Sequence, residues 1–271
     1  MLDGGAPKRL GFSNLYTTEV DAMSGHSKWA TIKRKKGALD AKRGRMFSKV
    51  IKEITVAARM GGGDLMGNPR LRRAIDDAKA SSMPADNIAR AIKKGTGDLE
   101  GVSYEEITYE GVGPHGTLWL IEVLTDNRNR TAPELRKIFD KHNGQLGTSG
   151  AAAWAFEAKG VLTMDKAAAT EEQLFEVAVG AGAEDVVDDG EEWWISTPPA
   201  ALETVRSALD AAKLAVKSAG VQQIAKLAKI VDAHDARICI DLVETLEDQD
   251  DVQKVWSDFE PSEEALAALE M

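Results

Sequence analysis

Cysteine is almost absent: Cys239 is the only one in 271 residues. That excludes an intramolecular disulfide and fits a reducing cytosol, with a buried thiol as the expected role. Long apolar runs are missing as well, and no stretch approaches the roughly 18 residues of a membrane span. The 22 residues before Met23 hold no apolar signal core, and Glu19 and Asp21 sit poorly in a transit peptide. A cytoplasmic protein is expected, with Met1 to Ala22 a disordered extension or a miscalled upstream start. Histidine is scarce and scattered: His26, His115, His142 and His234 fall on separate segments without the spacing of a zinc helix.

Other familiar catalytic signatures fail on inspection. Gly61-Gly62-Gly63 lacks the G-K-[ST] that reaches a nucleotide's phosphates. Gly111, Gly113 and Gly116 satisfy G-x-G-x-x-G, but Pro114 interrupts them and a strand follows where a dinucleotide site needs a helix, so a hairpin loop is expected. Ser149 has no histidine and acid partner nearby in the sequence. The run Glu247-Asp248-Gln249-Asp250-Asp251 lacks the glycine and distal glutamate of a calcium loop and reads as a solvated helix end. No catalytic residue, metal or cofactor is assigned, and the protein is not expected to be an enzyme.

What the chain has is charge, and the charge is segregated. Its formal total is −10, yet residues 23–95 carry 18 Lys+Arg against 6 Asp+Glu, while residues 96–271 carry 14 against 35. A basic module joined to an acidic body steers polyanions to one part and repels them from the rest. The module opens with an arm, Ser24 to Lys36, in which Lys28, Lys33, Arg34, Lys35 and Lys36 surround Trp29. Such an arm suits phosphate contact, with Trp29 either stacking on a base or tucked against the first helix.

From Asp40 to Arg59 apolar residues recur at helical spacing: Phe47, Val50, Ile51, Ile54 and Ala58 cover one face. Lys42, Arg45, Lys49 and Lys52 fall on the opposite side, with Arg43 beside them, as a basic stripe about three turns long. Asn68-Pro69 predicts an N-cap and first turn for a second helix, with Arg70, Arg72 and Arg73 outside. Ser82 to Pro84 predicts the same device for a third, which ends in Lys93-Lys94 and stops at Gly95. Asp86, Asn87 and Ala89 form a poor base-reading face, so backbone contact is expected over base readout.

In the body, Tyr104 to Glu110 and Thr117 to Thr125 read as paired strands. Thr131 with Glu134 reads as a capping box opening a helix, and Arg128 and Arg130 beside that N-terminus form a candidate anion site. Residues 158–226 read as strand, helix, two strands, helix, strand: the βαββαβ, ferredoxin-like order. A helix from Ala236 and a strand from Val252 then return to the sheet begun at Tyr104. The expected class is multidomain α+β. A basic three-helix domain (23–97) precedes a discontinuous middle domain (98–157 plus 227–271), in which the ferredoxin-like domain (158–226) is inserted.

The segments GHSKWATIKRKKGALDAKRGRMFSKVIKEITVAAR, GGGDLMGNPRLRRAIDDAKASSMPADNIARAIKKGTG, YEEITYEGVGPHG, LTDNRNRTAPELR, LGTSGAAAWAFEAKGV and LEDQDDVQKVWSDFE, in that order from Ser24 to about Glu260, resemble the YebC/PmpR family. The resemblance implies the same three-domain arrangement. It also implies a cytoplasmic, DNA-binding transcriptional regulator, or a translation factor holding ribosomal RNA, since a mitochondrial relative is a translational activator. Residues 1–22 lack a counterpart in the family, and Ala225 to Asp235 lacks the proline-containing stretch expected there. Nucleic acid is the expected partner, no membrane is expected, and the oligomeric state is left open.

Overall fold

The computed structural model describes residues 41–190 and 192–270. Three helices come first: α1 (Ala41–Gly61), α2 (Pro69–Ala80) and α3 (Ala85–Thr96). Ile54, Ala57 and Ala58 of α1 bury against Leu71, Ala74, Ile75 and Ala78 of α2 and Ala91 of α3, with Phe47, Val50 and Ile51 at the rim. Asn68 does two jobs there: its Oδ1 accepts from Leu71 N at 3.0 Å, and its Nδ2 donates to the Ala57 and Gly62 carbonyls at 2.8 Å. One buried amide thus caps the start of α2 and satisfies carbonyls at the end of α1.

Two expected helix ends differ. Ser82 has φ 59 and no capping bond; Pro84 occupies the cap position of α3, without a side-chain bond. The left-handed C-cap of α3 is Gly97 (φ 88), two residues beyond the expected stop. Gly95 lies inside the helix because α1 comes too close for any side chain: a Cβ there would sit 2.4 Å from the Thr55 carbonyl oxygen and 2.6 Å from the Ala58 Cβ. Gly95→Ala is therefore expected to destabilise the bundle. The gain of about 1 kcal/mol in helix propensity is outweighed by overpacking against backbone, for a net loss of about 2 kcal/mol in urea unfolding.

The middle sheet runs β3 (Gln145–Leu146), β1 (Glu105–Val112), β2 (Leu118–Thr125), β9 (Val252–Ser257), all antiparallel. The glycines between β1 and β2 form the expected hairpin loop, with His115 and Gly116 at positive φ. Helices α4 (Arg128–Lys141) and α7 (Ala233–Asp248) cover one face of this sheet, where Trp119, Ile121, Leu135, Phe139, Leu242 and Leu246 form the core. Cys239 is wholly buried there, and burial pushes its thiol up to about 12, which leaves it inert at neutral pH. A short parallel pair, β8 (Lys229–Val231) and β10 (Phe259–Pro261), and α8 (Glu263–Glu270) close that side. The segment from Ala225 to Asp235 supplies β8 and the Asp232 cap of α7.

Between β3 and β8 lies a second sheet of β5 (Asp185–Asp188), β6 (Glu192–Thr197), β4 (Phe156–Asp165) and β7 (Ser218–Ala225), in that spatial order. Its helices are α5 (Glu171–Leu174, continued to Val179 by a π turn) and α6 (Leu202–Ala211). Chain order β4-α5-β5-β6-α6-β7 with the first strand central is the ferredoxin-like arrangement, and β9 returns to β2 after it. Phe156 and Ala225, paired at the base of this sheet, pack on Leu120 and Trp256 of the other. The loop entering β4 is held by Glu110, whose buried carboxylate accepts from Gly150, Ala152 and Ala153 N–H at 2.6 to 2.8 Å. Burial would raise its pKa, but the three amides outweigh it and keep Glu110 below the ordinary carboxylate range. No described helix is long and apolar enough to cross a membrane.

Candidate nucleic-acid interface

Positive charge was expected along the outer faces of all three helices, and the structure divides those cations into two groups. The first is engaged by the acidic body. The stripe of α1 opposite its apolar face meets the corner where α7 ends and β9 begins. Arg45 lies 3.6 Å from the Asp248 carboxylate, and Lys49 Nζ donates to the Glu247 carbonyl. Lys52 Nζ donates to the Asp250 carbonyl at 3.0 Å and to Asp251 Oδ1 at 2.6 Å, and it sits over the Tyr104 ring. Burial pushes the Lys49 ammonium below its ordinary value, with Glu247, Asp248 and Asp250 pulling the other way.

Helix α2 is tied down similarly. Arg70 grips Glu53 of α1 with two bonds of 2.7 and 2.9 Å and also reaches Glu106 of β1. Arg73 and Arg72 meet Glu203 of α6, and Arg206 of α6 returns to Asp76 at 3.4 Å. These arginines were expected to be free on the outside; instead they tie the bundle to β1 and to α6.

Asp251 is the centre of the corner. Its Oδ2 is 2.7 Å from Arg130 Nη2, 2.7 Å from the Thr131 hydroxyl and 3.2 Å from the Thr125 hydroxyl, while Oδ1 takes Lys52. Burial disfavours its charge, but Lys52, Arg130 and Thr131 outweigh it and hold the carboxyl far below its usual range. The expected solvated helix end is thus corrected at this residue, which is 1% exposed. The cap of α4 is corrected too. Asn127 accepts from Arg130 N at 3.2 Å, the helix starts at Arg128, and Thr131 is buried inside it. Asn127 wins because its short amide reaches the first free N–H groups while the Thr131 hydroxyl faces Asp251. Glu134 instead accepts from Gln249 Nε2 at 2.8 Å. Of the two arginines of the expected anion site, Arg130 is committed to Asp126 and Asp251, and Arg128 is exposed.

The second group stands free. Arg90, Lys93 and Lys94 occupy positions i, i+3 and i+4 of α3, Arg90 and Lys93 on the side away from buried Ala91 and Gly95 and Lys94 at its edge. Arg90 and Lys93 are exposed and Lys94 half-buried, and none has an ion-pair partner among the described residues. Lys79 on α2 is also exposed. Arg90 and Lys79 were not among the expected site residues, although the spacing of Arg90 to Lys93 and Lys94 was a usable signal. Lys42 and Arg43 fall in the first turn of α1, but their side chains lie outside the described residues, as do Lys28, Trp29, Lys33, Arg34, Lys35 and Lys36.

Two openings flank the engaged group. A polar cleft of about 760 Å³ is lined by Arg45, Lys52, Tyr104, Arg130 and Asp250. A wider groove of about 950 Å³ separates the bundle from β1, β2 and β7. No cluster of three or more metal-ligating side chains occurs among the described residues.

Two family models match the chain in succession: the TACO1/YebC N-terminal domain over residues 27–98, and the TACO1/YebC second and third domain over residues 104–259. The chain belongs to the TACO1/YebC family. Its relatives include a protein of Desulfotalea psychrophila, 54% identical over 91% of this chain and 99% of its own length, and one of Geobacter sulfurreducens, 53% identical over 91% and 100%. Both are named probable transcriptional regulatory proteins. Among solved structures, a conserved hypothetical protein of Aquifex aeolicus matches with a TM-score of 0.79 at 44% identity, covering 87% of this chain and 97% of that one. The gap between the two family matches falls on the exposed linker between α3 and β1. In this TACO1/YebC protein the basic module and the acidic body are thus separately matched units that meet through ion pairs.

Proposed function

We propose that this chain is a non-enzymatic, cytoplasmic regulator of transcription that binds DNA through its basic three-helix module. The observation that carries the reading is the free α3 stripe of Arg90, Lys93 and Lys94 in a module rich in positive charge, on a protein otherwise strongly acidic. A polyanion is attracted to that surface and repelled by the rest. The arm from Lys28 to Lys36 extends the same grip, and the names of the relatives supply the regulatory context. The free stripe lies at the C-terminal half of α3 and offers only point charges and a guanidinium, which suits phosphate contact more than base readout.

The test is binding of a labelled duplex followed by fluorescence anisotropy across salt. Affinity is expected to fall steeply, with a log–log slope of about −3 to −6 if three to six phosphates are neutralised. A transcriptional regulator should also prefer its own operator over random duplex by roughly a thousandfold; footprints without such a preference defeat that assignment. The poor base-reading face at Asp86, Asn87 and Ala89, at the start of α3, also favours a second reading, a translation factor that holds ribosomal RNA by its backbone. Sequencing of RNA crosslinked in cells tests it, and absence of ribosomal enrichment defeats it.

A further inference from the structure

The α1 stripe faces the body as a nucleic-acid-binding helix faces phosphates. Arg45, Lys49 and Lys52, about one turn apart, each meet an oxygen of the segment from Glu247 to Asp251. The C-terminal end of α7 adds its own carbonyl charge to those carboxylates. We propose that this acidic corner is an internal competitor for nucleic acid: it latches the bundle shut in the free protein, and a polyanion displaces it to gain the α1 cations. The inference rests on the nucleic-acid reading above and goes beyond it by assigning the corner a regulatory role.

Three features support the latch. The bundle's apolar core draws only on its own helices, and its bonds to the rest of the chain run through charged side chains, Arg45, Lys49 and Lys52 at the corner, Arg59 at the linker, and Arg70, Arg72 and Arg73 with Arg206 along α2. The pairs made by Arg45, Arg70, Arg73 and Arg206 are partly exposed, and such contacts are weakened by salt and lost singly at small cost. Second, opening does not strand the buried carboxylate: when Lys52 leaves, Asp251 keeps Arg130, Thr131 and Thr125. Third, the exposed stretch 97–103, with Gly97 at φ 88, joins the two parts. Fully extended, it spans about 23 Å, which gives the bundle room to lift away.

The experiment compares two variants of equal net charge in the full-length protein, with a labelled 20-base-pair random duplex as probe. Asp248→Asn/Asp250→Asn neutralises the corner but spares Asp251. Asp241→Asn/Glu244→Gln neutralises two exposed carboxylates elsewhere on α7. The corner variant should bind about fivefold more tightly than the control variant. Energy transfer between dyes at Met66→Cys in the bundle and Glu172→Cys in the inserted unit should change when duplex is added to the otherwise wild-type protein, the buried Cys239 staying unlabelled. Equal affinity of the two variants, or unchanged energy transfer on binding, overturns the latch and leaves the nucleic-acid reading standing. Failure of every form to bind duplex or the equivalent RNA overturns both.

Discussion

Asp251→Ala is expected to lower the unfolding free energy by about 3 kcal/mol, the cost typical of deleting one partner of a buried charge cluster. The residue is 1% exposed and serves three elements at once. It binds Lys52 on α1, Arg130 and Thr131 on α4, and Thr125 at the end of β2, while its carbonyl accepts from Leu124 N at 2.8 Å. Removal leaves two cations and two hydroxyls facing a void lined by polar atoms, which hydrophobic repacking does not repair. Asp251→Asn keeps the shape and some hydrogen bonds, so its loss should be smaller.

The effect has a pH signature. The folded pKa of Asp251 is depressed below its unfolded value of about 3.9. Its stabilisation is therefore fully present above that value and is lost as pH falls toward the folded pKa. Glu110, also depressed, has the same sign. Urea unfolding of wild type and Asp251→Asn should accordingly differ most at neutral pH, with the gap narrowing from about pH 5 downward. A gap constant across pH 7 to 3 would mean that the Asp251 charge does not stabilise the fold.

Reversal of the α3 stripe, Arg90→Glu/Lys93→Glu/Lys94→Glu, is expected to weaken duplex binding by about a hundredfold or more at moderate salt. Three attractive charges become three repulsive ones, and the log–log salt slope should shrink in magnitude by about 3. The far-UV spectrum should be retained, because Arg90 and Lys93 are exposed and Lys94 is only half-buried at the edge of the helix's packed face. The same reversal on α1 reads out differently. Charge reversal at Arg45, Lys49 and Lys52 would set like charges against Asp248, Asp250 and Asp251 and cost stability as well as affinity. If the α3 variant binds as wild type does, the module's grip lies elsewhere and the free stripe is only a solvated face.

The contrast between α1 and α3 marks how far the sequence could be read. Helical spacing placed the apolar face of α1 and the Asn68-Pro69 start of α2 because both are local: one follows from the 3.6-residue period, the other from an amide within reach of its own next turn. The βαββαβ order was legible for the same reason, since period and turn residues report each element separately. The Thr131 cap failed because two residues competed for the same free N–H groups, and the winner was decided by Asp251, 120 positions away. Gly95 was read as a stop because a glycine at a helix end usually is one. Its actual reason, the approach of Thr55, is a contact between helices.

The sequence by itself determined the family, the α+β class, the insertion and the separation of charge, because composition and short-range periodicity are written along the chain. Only the tertiary structure decided which cations are free. Arg45, Lys49, Lys52, Arg70, Arg72 and Arg73 are all basic and all lie off the bundle's core, yet each faces a carboxylate or carbonyl from another element. Arg90, Lys93 and Lys94 do not among the described residues. Ion pairing across domains depends on how the chain returns on itself, and electrostatic attraction at a few ångströms carries no trace in local sequence spacing.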